Sequence, residues 1–176
     1  MNSLSTLKPL IGLKKTLVIT CRECGMQVTD DFSGQVFTHS SLGAMLQRHD
    51  YLQQESLEYF VGTKGCTQII VAGHMHCHVM DTLKKDPFLG RMLQFNLGAY
   101  FKNPNVRVLP KTVRDQMLLE LNVIDQCKLL LDYPFLRDRM RTNDLHLMGV
   151  VMGNRPDQLK PVFYNNILYN TVIALN

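Results

Sequence analysis

Apolar and polar positions divide this chain into short unbroken runs and one long periodic stretch. Residues 16–20 (TLVIT), 67–73 and 145–152 (LHLMGVVM) are apolar without alternation. Such runs fit strands buried on both faces, as in a parallel sheet covered by helices. Strands are therefore expected at 15–21, 67–73 and 145–152, with a further short one at 35–39 and a hairpin continuation at 162–164. Residues 111–131 carry the clearest helical pattern. Val113, Met117, Leu121, Ile124 and Lys128 share one 3.6-residue stripe, flanked by Leu118 and Leu131, and only Lys128 breaks it. Ser56 reads as an N-cap for a helix placing Leu57, Phe60 and Val61 on one face, stopped by Gly62 and Gly65. A helix feeding a buried strand is half of a βαβ unit. Elsewhere the pattern predicts a loop over 22–34, a helical turn within 42–50 and a helix over 80–85 ended by Pro87. It also predicts a turn at Asn103, Pro104 and Asn105, and a helix over 136–141 beginning near Pro134. Residues 1–14 form an N-terminal arm, and 165–176 an apolar tail suited to a subunit contact. The expected fold is a single α/β domain over 1–176, with a mainly parallel central sheet and helices on both faces.

Composition narrows this only by exclusion. The 176 residues suffice for one sizeable core. A net charge of +4 is too modest to argue for nucleic acid, and Lys14, Lys15, Lys84, Lys85 and the 137–141 arginines read as solvated faces. No apolar run reaches a membrane span, and the first residues lack a signal peptide's pattern, so no membrane partner is expected and the cytoplasm is the default location. Five cysteines without regular spacing do not make a disulfide framework; in a reducing compartment they point to metal.

That reading has a definite place. The first strand delivers Cys21 and Cys24 at its end, and the second delivers His74 and Cys77. Two strands finishing in soft ligands suggest one site at the carboxyl edge of the sheet, where open α/β proteins put their chemistry. Zn2+ is the expected ion, held by Cys21, His74 and Cys77, since three protein ligands plus water make a catalytic zinc site. Cys24, at a two-ligand Cys-x-x-Cys spacing, or Glu23 is available as a fourth ligand, and each reads equally well as an ordinary loop side chain. His76 and His78 read as supporting or surface groups, and His39 as a surface residue near the pocket. Cys66 and Cys127 read as core, and Met45, Met92, Met117 and Met140 as packing residues. Residues 63–65 lack the frame of a phosphate loop.

Several stretches together resemble the β-class carbonic anhydrases. They are Cys21 to Gly25 (CRECG), Ser56 to Tyr59 (SLEY), Gly73 to His78 (GHMHCH), Asn122 and Val123 with Gln126, Tyr133 to Arg137, and Leu145 to Val150. The resemblance spans about residues 17–164 and implies four parallel strands plus an antiparallel edge strand, zinc as cofactor, and a homodimer that pairs into tetramers. Its implied substrates are carbon dioxide and water, giving bicarbonate and a proton. The family pairs an Asp and an Arg two and four residues after the first Cys, whereas this chain has Glu23 and Gly25. The family's Arg-Asn-Ala-Gly segment corresponds to Ser40, Ser41, Leu42 and Gly43, and the glycine after the second Cys is His78. In the family, breaking the pair lets the Asp close the metal site. Without an arginine at 25, no group in the sequence restrains Glu23. The expectation is a divergent zinc protein with weak or lost hydration, Glu23 or Cys24 closing the site. The alternatives are a working carbonic anhydrase, with Glu23 or a nearby histidine in the missing pair's role, and a zinc lyase or hydrolase for another small substrate.

Overall fold

The computed structural model of the chain describes residues 4–24, 34–85, 104–153, 158–165 and 167–168. Pro87, Met92, Asn103, most of the loop expected over 22–34 and the tail from 169 onward lie outside the described residues, as does the side chain of Cys24. The strands are β1 (Thr16–Cys21), β2 (Val36–Ser41), β3 (Gln68–His74), β4 (His146–Met152), β5 (Leu159–Tyr164) and β6 (Ile167–Leu168). They form one sheet in the order β2-β1-β3-β4-β5-β6. The first four are parallel neighbours, while β5 runs antiparallel to β4 and β6 antiparallel to β5. The four parallel strands are as expected, but the antiparallel margin is a pair, because the start of the tail pairs onto β5. β5 also begins before the apolar stretch that signalled it, with Lys160 and Pro161 facing Val151 and Val150 beside a register shift at Gly149/Val150. A proline at such an irregularity near a sheet margin costs no ladder bond.

The helices are α1 (Lys8–Ile11), α2 (Tyr51–Glu58), α3 (His78–Lys85), α4 (Pro104–Arg107), α5 (Lys111–Leu131) and α6 (Pro134–Arg141). α2 continues through a π-helical turn, Tyr59–Thr63, and the chain then reverses at Gly65, whose φ of +71° suits glycine. The expected cap at Ser56 is corrected: α2 starts at Tyr51 and is capped by Asp50, whose carboxylate accepts from the Gln53 N–H at 3.2 Å. The loop expected from 22 opens with a 3-10 turn, Arg22–Cys24. α3 begins two residues before the predicted start.

Strand alternation sends side chains to two apolar layers. Val18, Ile70, Ala72, Val150 and Met152 pack with Leu7 and Ile11 of the N-terminal arm, which therefore belongs to the core. Leu17, Ile19, Ile69, Val71 and Leu147 pack on the other layer with Leu57 of α2, Leu136 of α6 and much of α5. α5 is buried nearly all round, beyond the single stripe expected. It lies so close to the sheet that a Cβ on Gly73 would sit 2.7 Å from Val123 Cγ2, and one on Gly149 would sit 2.9 Å from Val123 Cγ1.

Candidate metal centre

β1 ends at Cys21 and β3 at His74. These strands are parallel neighbours, with Thr20 opposite Ala72, so both leave the sheet side by side at its carboxyl edge. The chain turns through Met75 and His76, the latter at a left-handed φ of +57°. Cys77 then takes the N-cap position of α3, its carbonyl accepting from the Asp81 N–H at 3.1 Å. The Cys21 and Cys77 sulfurs are 3.7 Å apart. With a His74 ring nitrogen they form a set whose ligand atoms all lie within 4.8 Å of one another, the only such cluster among the described residues. All three residues are buried.

Each sulfur has its own backbone donors. Cys21 Sγ accepts from the Gly43 N–H at 3.3 Å and from the Glu23 N–H. Cys77 Sγ accepts from the Met80 N–H in the first turn of α3, where the helix dipole also favours negative charge. The Cys21 thiol is pulled down, chiefly by its hydrogen bond with Cys77, with His74 and the two amides helping against burial. Cys77 is pushed up, first by that same bond and then by burial. One thiolate therefore forms readily, while the second is opposed by the first until a cation enters between them.

These residues fit zinc. Two thiolates at about 2.3 Å from a tetrahedral zinc stand roughly 3.8 Å apart, close to the observed sulfur separation. His74 Nδ1 lies 3.2 Å from the Met75 carbonyl. A proton held there leaves Nε2 as the ring's acceptor, the usual arrangement behind a metal-binding imidazole. A cleft of about 90 Å³ reaches His74 and Cys77, with His76, Asp81, Thr112 and Asp115 on its other walls.

Glu23 lies elsewhere. It is exposed in the turn after β1, and its Oε2 accepts from the Val79 N–H of α3 at 3.1 Å. A backbone amide therefore restrains the carboxylate that no side chain in the sequence was expected to hold. The backbone of Cys24 closes the same turn. His76 and His78 are exposed, His76 on the cleft wall. His39 is half-buried on β2, and burial lowers its pKa. Cys66 and Cys127 are core residues, and burial raises both thiols. Met117 is buried, while Met45 and Met140 pack against the core.

A carbonic anhydrase family profile matches residues 16–156. This chain belongs to the carbonic anhydrase family. The fold agrees with that placement. A tetrameric β-carbonic anhydrase of the filamentous ascomycete Sordaria macrospora superposes with a TM-score of 0.67 at 20% identity, covering 85% of this chain and 81% of that one. The Coccomyxa β-carbonic anhydrase in complex with acetazolamide gives 0.67 at 20% identity over 90% and 77%. CafD of Aspergillus fumigatus gives 0.65 at 20% identity over 85% and 90%. A comparison with curated proteins returns no match. No helix among the described residues is long and apolar enough to cross a membrane.

The amide side chain of Gln53 was given no role by the sequence, and Asn122, Gln126 and Gly43 entered only through the family resemblance, with no contact assigned to them. Asp50 with Gln53 does match a helix-start spacing, and Asn122 with Gln126 an i,i+4 spacing, so a signal existed.

Proposed function

We propose that this carbonic anhydrase family member is a zinc protein that hydrates carbon dioxide weakly, with Cys21, His74 and Cys77 as its ligands. The observation that carries the reading is the position of Glu23. Its carboxylate is bound to the Val79 N–H and lies outside the cluster of Cys21, His74 and Cys77, which supports a site that Glu23 does not close. Zinc held by these residues would supply Lewis acidity. Cys21 and Cys77 hold the ion with two negative charges, which softens its acidity compared with a histidine-only set. The backbone amides on each sulfur withdraw part of that charge again. Glu23 stands beside Cys77 and is available as an acceptor for a proton, but a neutral amide anchors it where the family uses a guanidinium. Those two features support slow rather than fast turnover.

Stopped-flow hydration by zinc-loaded protein, read beside the metal-free form, tests this. Turnover above the metal-free control is expected, falling further in Glu23→Gln while zinc stays bound. Turnover equal to the control, with X-ray absorption reporting three sulfurs and one nitrogen on the metal, would establish Cys24 as a closing ligand. A Cys24→Ser variant that gained turnover would say the same. By analogy with the relatives described as tetrameric, the chain is proposed to form a homodimer or tetramer, which light scattering on purified protein checks.

A further inference from the structure

Between β2 and α2 the chain takes a backbone path that local preferences oppose. Gly43, Ala44 and His49 have φ values of 66°, 57° and 61°, all left-handed. Two of these are not glycine, and each such residue costs roughly 1 kcal/mol unless its surroundings enforce it. The enforcement comes from buried amide side chains. Asn122 Nδ2 donates to the Gly43 carbonyl at 2.9 Å. The Leu46 N–H donates to Gln126 Oε1 at 2.7 Å, and Gln126 Nε2 donates to Asn122 Oδ1 at 3.3 Å. Further along, the Gln47 N–H donates to Gln53 Oε1 at 3.0 Å, and Gln53 Nε2 reaches both the Gln47 carbonyl and the Tyr133 hydroxyl. Asn122 and Gln126 are each 1% exposed. Amides buried this deeply persist where their hydrogen bonds are satisfied, and these are spent on the loop.

The first residue in this grip is the one whose N–H meets Cys21 Sγ. We propose that Asn122 and Gln126, one turn apart on α5, are positioning residues for the metal centre: they clamp the 43–46 segment so that the Gly43 N–H stays on the Cys21 sulfur. This rests on the reading of Cys21, His74 and Cys77 as zinc ligands. Gly43 suits the job twice over: its φ favours glycine, and an added Cβ would press on Met45 Cε at 3.2 Å. Asn122 acts on Gly43 itself and Gln126 three residues further on, so the effects are graded.

The test is zinc affinity by chelator competition in Asn122→Leu and Gln126→Met, together with the thiolate-to-metal charge-transfer band of the cobalt-substituted proteins. Partners outside the ligand sphere commonly change affinity by about 10–100-fold. Asn122→Leu should lose affinity in that range and shift the band; Gln126→Met should lose a few-fold. Val162→Ala, a buried change on β5, three strands from β1 in the sheet order, serves as the control. It should lower the melting temperature while leaving affinity and spectrum as in the parent. If Asn122→Leu binds zinc within two-fold of the parent and its cobalt band is unmoved, the proposal is wrong and the amides only stabilise the fold. Should Asn122→Leu not fold, Gln126→Met is read in the same two assays, where no change is likewise overturning. A parent protein that bound no zinc would instead overturn the metal site itself.

Discussion

Val123 is wedged against two strands at once, and that contact sets where His74 stands. Replacing Gly73 by alanine would bring a methyl group to 2.7 Å from Val123 Cγ2 and 3.0 Å from Leu119 Cδ1. A valine in a helix has one strongly preferred rotamer. Here it is also pinned from the other side, since Cγ1 faces Gly149 at a distance that admits no larger residue. The new methyl therefore cannot be relieved by a side-chain rotation; α5 or β3 must shift. Overpacking of this kind costs about 1–3 kcal/mol, and pinning puts Gly73→Ala near the upper end. Strand propensity pulls the other way, because glycine is about 0.5–1 kcal/mol worse than alanine in a strand interior. Val123→Ala alone should cost about 2 kcal/mol for lost contacts and a cavity. In that background only the contact with Leu119 remains, and the intrinsic preference for alanine should bring Gly73→Ala close to neutral. The expected coupling between the two sites is thus about 2 kcal/mol, read from urea unfolding of metal-free protein so that zinc binding does not mask it. If Gly73→Ala cost the same in both backgrounds, or stabilised the parent, close packing of α5 on β3 would not be what the glycine serves.

Other expectations follow from single contacts. Cys21→Ser should reduce bound zinc in the purified protein to well below one equivalent, measured by elemental analysis, because the hydroxyl replaces a thiolate that two amides and a neighbouring thiol stabilise. Glu23→Ala should lower stability by about 0.5–1 kcal/mol in denaturant titration, since the Val79 N–H loses its acceptor, and Glu23→Gln should cost less because an acceptor oxygen remains. Burial lifts the Asp125 carboxyl to about 6 against the pull of Lys128 and Arg48. The folded chain therefore holds that proton more tightly than the unfolded one, and stability falls as pH rises from about 4 to about 6. Asp125→Asn should be more stable than the parent by roughly 1 kcal/mol at neutral pH, a figure reduced for partial exposure, with the gain vanishing below about pH 4.

The parallel strands were legible because both faces of each are covered, which leaves continuous apolar runs in β1, β3 and β4. The start of α2 was legible too, since Asp50 and Gln53 have a helix-start spacing, but the apolar residues that drew attention to Ser56 lie in its last turn and the π turn beyond. β5 was half hidden: Lys160 lies in a strand because its ammonium reaches the fully buried Glu120 at 2.6 Å, a pairing no local pattern announces. The same limit applied at the metal centre. Cys21, His74 and Cys77 could be read as ligands because each ends or follows an apolar run. The restraint on Glu23 could not, because its partner is a main-chain N–H, which leaves no mark in residue identity.

That last point bears on what losing an arginine means for such a site. A guanidinium and a helix N-terminus both present N–H groups with positive charge, one full and one partial, to a carboxylate. Placing Cys77 as the N-cap of α3 brings the amide of Val79 within reach of the turn after β1, so the proposed cysteine ligand and the carboxylate's anchor come from one helix start. The longer glutamate side chain spans from that turn to α3. Glu23 in place of an aspartate, and no arginine at 25, then read as one compensated exchange rather than two independent losses. The exchange is not equal, since a neutral amide leaves the carboxylate's charge unbalanced beside Cys77, and that imbalance would oppose the negative charge that the proposed hydration builds.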